Sequence, residues 1–175
     1  MTQKNIIVNG LHLEYKGAFS FEEFYGTLKK KLESLSYKFL EKRFEQYVGE
    51  SGKNLFIEVR PIRQKAFTFI AMKIRIEMKN VHDVTVDVDG VPTFVQEGEI
   101  DMLFDAWVFM HYNKRWQMHP VFWFIKSVIN KWVYQFPLEA SFTNEVAADT
   151  HQVHQHMKAF LNLYRYKIPQ AKVEE

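Results

Sequence analysis

The chain has no cysteine among its 175 residues. That excludes disulfides, zinc–thiolate sites and cysteine nucleophiles, and with them the small disulfide-stapled secreted domain. It also lacks a surplus of charge of one sign: 23 Lys and Arg against 21 Asp and Glu leave a formal net charge of +2, and no nucleic-acid partner is expected. No apolar run reaches the ~18 residues of a membrane span. The closest, Val121–Val133, is broken by Lys126, Asn130 and Lys131. The N-terminus carries no apolar stretch of signal-peptide length, and we expect a cytoplasmic protein. No serine lies in a Gly-x-Ser-x-Gly elbow. There is no His-Glu-x-x-His, and Gly49-Glu50-Ser51-Gly52-Lys53 lacks the spacing of a phosphate-cradling loop. No cofactor is expected.

What the chain has is aromatic bulk. Phe, Trp and Tyr make up 16% of the residues, and Phe alone supplies 16. Such bulk suits a large core, a cavity wall or an interface better than a polar catalytic cleft. The length fits one domain with a substantial core, which we place at 1–166, with 167–175 as a flexible C-terminal tail.

Asn5–Tyr15 mixes β-branched residues with partial alternation and predicts a first strand. Ser20-Phe21-Glu22-Glu23 is a capping box, with Glu23 expected to reach back to the cap. Phe21, Phe24, Leu28, Leu32 and Leu35 then recur at helical spacing. From Tyr37 the period becomes two. Strands are predicted over Tyr37–Val48, Leu55–Arg63 (with Pro61 marking an edge or bulge), Phe67–Lys79 and the Val84–Val88 region, and the short Val91–Val95 stretch leads into the next strand. Asp89-Gly90 signals a turn. The longest strand runs through Glu97–His111. A helix thick with aromatics follows, and Pro137 opens a second, whose Val146, Thr150, Val153, Met157, Phe160 and Tyr164 form one apolar stripe.

These elements predict an α+β fold: a curved antiparallel sheet of about six strands, one helix after strand 1, and long C-terminal helices packed on the sheet. From Asn5 to about Tyr164 that order resembles the helix-grip architecture of the SRPBCC superfamily, which includes START-like lipid carriers and polyketide cyclase-like proteins. The resemblance implies an apolar cavity between the sheet and a long final helix. This chain departs from the pattern in having two C-terminal helices, split near Pro137, where those proteins usually have one.

Three groups of residues could carry function. By strand parity Glu97, Glu99, Asp101, Leu103, Asp105, Trp107, Phe109 and His111 share one face, and Ile100, Met102, Phe104, Ala106, Val108 and Met110 face the core. Asp105 lies between large apolar neighbours. It is either an acid or base working with His111 or the partner of an Arg or Lys on the next strand. His151 and His154 share a helix face and are candidate metal ligands, or simply part of a polar face. Phe122, Ile125 and Ile129, with Trp116, Trp123, Phe124 and Trp132, form a wide apolar helix surface. It is core, a cavity wall, a self-association face giving a homodimer, or a shallow membrane contact. The reading carried forward is a non-enzymatic domain that holds an apolar or amphipathic small molecule, such as a lipid. Met72, Ile74, Ile76, Met102, Phe104, Val108, Phe122, Ile125 and Ile129 are its expected wall. The alternatives are a protein-interaction or homo-oligomeric scaffold using the aromatic helix, and an acid/base enzyme using Asp105 and His111.

Overall fold

The computed structural model describes residues 2–49, 52–65, 68–88, 91–111 and 137–167. Its elements are β1 (Thr2–Phe19), α1 (Phe21–Ser34), β2 (Glu41–Gly49), β3 (Gly52–Val59), β4 (Ile62–Lys65), β5 (Thr68–Val88), β6 (Val91–His111) and α2 (Pro137–Lys167). The six described strands form one antiparallel sheet in the order β1-β6-β5-β3-β2, with β4 following β3 along the same side of β5. The fold class is therefore α+β, as the period change after the first helix implied.

One expected strand boundary does not exist: Thr68–Lys79 and the Val84–Val88 region fall on one strand, β5. Val91–Val95 leads into Glu97–His111 as one strand, β6. The break in alternation within β5 is a bulge: Asn80 has a φ of 53°, and the pairing with β6 shifts between Lys79 and His82. A bulge flips the side-chain phase, so Met78 and Val81 both face inward and the sequence reads as an ending. Gly98 makes room for it, because a Cβ there would lie 2.9 Å from the Lys79 carbonyl oxygen. Conversely, the expected Leu55–Arg63 strand is split. Pro61 has no N–H to give, yet its carbonyl still accepts the Met72 amide at 2.9 Å. The Asp89-Gly90 pair lies outside the described residues, although Val88 and Val91 on either side of it are paired.

Ser20 caps α1, its hydroxyl accepting the Glu23 amide at 3.4 Å. Glu23 does not reach back as a capping box requires. Its carboxylate accepts the Tyr164 hydroxyl instead, tying the start of α1 to the last turns of α2. Phe24, Leu28 and Leu32 bury the inner side of α1. Pro137 is the first residue of α2, a position where its missing N–H costs nothing. The buried stripe of α2 is Val146, Thr150, Val153, Met157 and Leu161. Leu161 takes the place expected for Phe160, which packs beside it, because a four-residue step from Met157 keeps to one face. Thr150 satisfies its buried hydroxyl by donating to the Val146 carbonyl at 2.8 Å. Each large apolar side chain of the stripe contributes roughly 1.5–3 kcal/mol by leaving water. The preceding aromatic helix, expected around Phe122–Tyr134, and the tail beyond Lys167 lie outside the described residues.

Candidate functional site

Strand register aligns the inner face of the sheet in rows. Val59, Ile74, Phe104 and Leu11 are consecutive partners across β3, β5, β6 and β1. The next row is Ile57, Ile76, Met102 and Leu13, and the one after it Leu55, Met78, Ile100 and Tyr15. Toward the other end Met72 faces Ala106, and Ile70 faces Val108. These rows arise because β5 and β6 alternate in phase, so each apolar residue of one meets an apolar residue of the other. Met72, Ile74, Ile76, Met102, Phe104 and Val108 all lie in this wall and are fully buried. Phe122, Ile125 and Ile129, the other three expected wall residues, lie outside the described residues. So does the aromatic helix face on which the scaffold alternative was built. α2 packs on β1 and β6 and reaches β5 only at its margin.

At one end of the wall sits a polar cluster that pattern reading missed. Arg63, with its side chain only 10% exposed, donates from Nη2 to Glu145 at 3.0 Å and to Asp149 at 2.8 Å. Its Nη1 donates to the Leu35 carbonyl at 2.8 Å, and its guanidinium lies 4.5 Å over the Tyr37 ring. The Tyr37 hydroxyl donates to Asp149 at 3.0 Å. Burial, and then the charge of Asp149, push that phenol above its ordinary range. The Arg63 Nε is buried without a partner among the described residues. One cation thus joins β4, the α1–β2 connection and α2. The sequence signal was faint: Glu145 and Asp149 are four apart on α2, and share a face with Val146 and Thr150 on its buried stripe.

The outer face carries charge in pairs. Glu58, between Arg60 at 2.5 Å and Lys73 at 3.4 Å, is almost buried. Burial raises its pKa, but the Arg60 hydrogen bond and the two positive charges outweigh burial and hold it below the usual carboxylate range. Asp105 is 7% exposed. Its Oδ2 accepts Arg75 Nη2 at 3.2 Å, and its Oδ1 accepts the Gly10 amide at 2.8 Å. Pairing with an arginine of the adjacent strand is therefore what the structure shows for Asp105. His111 stands six residues further along the same unbroken strand, so the two backbones are roughly 20 Å apart.

The two candidate histidines of α2, His151 and His154, differ in their surroundings. His154 donates from Nε2 to the His12 carbonyl at 3.0 Å and sets its ring edge-on to Phe104 at 5.6 Å. His151 is exposed. Among the described residues no group of three or more His, Asp or Glu side chains is placed to hold a metal ion. No described helix is long and apolar enough to cross a membrane.

Fold and site together define an α+β sheet-and-helix domain with an apolar inner wall, one buried arginine cluster and a paired-charge outer face. No family model, no curated protein and no solved structure matches the chain.

Proposed function

We propose that this domain is a non-catalytic holder of an apolar or amphipathic small molecule, lipid-like in character, taken up between the inner face of the sheet and the C-terminal helical part, in the manner of a helix-grip protein. One observation carries the reading. Three rows of the inner wall run in register over four strands without a charged side chain, the first charge being Arg63 beside Ile70 at the end of the wall, and the wall extends under β3 and β5, beyond the strands on which α2 lies. Three of its members, Met72, Met78 and Met102, are flexible and polarizable, which suits a wall that adapts to a guest. The Arg63 cluster supplies a polar end to an otherwise apolar interior, as an amphipathic guest needs.

Native mass spectrometry of the protein purified without denaturant tests this. The expected result is an added mass that organic extraction removes, together with uptake of an apolar fluorescent dye by the extracted protein. A bare chain mass and no dye uptake would overturn the proposal.

A further inference from the structure

The two edges of the sheet are treated differently. The β1 edge is interrupted: its pairing shifts between Ile6 and Val8 and again before Leu11, and Gly10 has a φ of +71°. Such bulges twist an edge out of pairing geometry. The β2 edge has none of this over Arg43–Gly49, where its register with β3 is unbroken. It contains no proline. Among the described residues β2 has β3 as its only strand neighbour, so alternate N–H and C=O groups along its other side have no strand partner. Its large apolar side chains are open to water: Phe44 is 45%, Tyr47 61% and Val48 75% exposed.

We infer that β2 is an interface between two copies of this chain, joined edge to edge, antiparallel, about a twofold axis passing through Phe44. A twofold axis perpendicular to the sheet keeps each face on its own side. Residues that meet must therefore share a parity, and only a few registers remain. Moving the axis to Arg43 sets Arg43 against Arg43. Moving it to Glu45 sets Glu45 against Glu45. Centred on Phe44, the strand is self-complementary: Arg43 meets the partner's Glu45 twice and Phe44 meets the partner's Phe44, and the register shift between Glu41 and Arg43 ends the regular pairing on that side. Arg43 and Glu45 are already turned to one side, bonded to each other at 2.5 Å within the strand. The ions of the monomer thus need only exchange partners. The result is one continuous sheet through both copies, with the inner walls on the same face. The outer groove of about 470 Å³ lined by Arg43, Glu45, Tyr47, Phe56, Glu77 and Lys79 then borders the junction.

Sedimentation velocity across a concentration series reads the dimer, and charge reversal tests its register. Arg43→Glu is expected to weaken association by about tenfold or more, because two attractive cross-strand pairs become two repulsive ones. Glu45→Arg is expected to do the same, and the double variant Arg43→Glu/Glu45→Arg to restore it. If the single variants do not fold, amide hydrogen exchange on the unaltered protein decides the matter: within Arg43–Glu45 the amides that point away from β3 gain protection as concentration rises. A wild-type chain that stays monomeric at the highest concentration overturns the inference. So does a dimer indifferent to these substitutions, or one whose β2 amides exchange at the same rate at every concentration.

Discussion

Asp105 of β6 holds Gly10 of β1: its Oδ1 accepts the Gly10 amide at 2.8 Å, across 95 residues of chain. Gly10 sits at the bulge of the edge strand with a positive φ, a conformation natural to glycine. The carboxylate that looked like a catalytic candidate is a clamp on an irregular edge, steadied from the other side by Arg75.

Asp105→Ala should destabilise the fold by about 1–3 kcal/mol, since it strands a backbone donor and leaves Arg75 without its carboxylate. Asp105→Asn keeps an acceptor for Gly10 and should lose less. Urea unfolding midpoints at unchanged m-value check both. A loss as large for Asn as for Ala would mean that the Arg75 pair, not the clamp, matters.

Removing Arg63 should cost more than removing any outer-face cation. Glu145 and Asp149 both pair with it, and its side chain is nearly buried. Arg63→Ala is expected to lose about 3–5 kcal/mol, as for other broken buried pairs. Arg63→Met combined with Asp149→Leu should recover part of that, because the deeper of the two carboxylates goes with the cation and only the more exposed Glu145 is left. Chemical denaturation of the single and combined variants measures the difference.

Glu58 sets an expectation for pH. Its pKa is lower in the folded protein than in the unfolded chain. Its contribution is therefore complete above the unfolded value of about 4.3 and is lost as pH falls through the folded one. Glu58→Gln should flatten the decline of stability on the acid side of that window and leave the slope above it unchanged. Thermal unfolding midpoints between pH 3 and 6 would show whether the two curves converge at the acid end.

Phe104 is one of the two inner members of its four-residue row, fully buried and in edge contact with His154. Phe104→Ala should destabilise by about 3–5 kcal/mol through lost transfer energy and the void left behind. A much smaller loss, with the fold intact by circular dichroism, would indicate space already present around the ring. That outcome would favour the carrier reading over a filled core.

The sequence by itself determined the kinds of element and their inward faces. The helical stripe of Phe24, Leu28 and Leu32, the alternation from Met72 to Met78, and Ile100 to Val108 as core were all legible, because period and polarity are local properties of the chain. The capping serine and the helix-opening Pro137 were legible for the same reason. Tertiary structure decided the rest. It joined Lys79 to His82 through a bulge at Asn80 that reads, locally, as a strand end. It drew Glu23 from its own helix cap to Tyr164. It gave Asp105 a partner on the adjacent strand and a backbone amide 95 residues away, and it gathered Arg63, Tyr37, Glu145 and Asp149 from three distant stretches into one cluster. A side chain's period follows from its neighbours in sequence. Its hydrogen-bond partner follows from strand order and register, which are properties of the whole sheet.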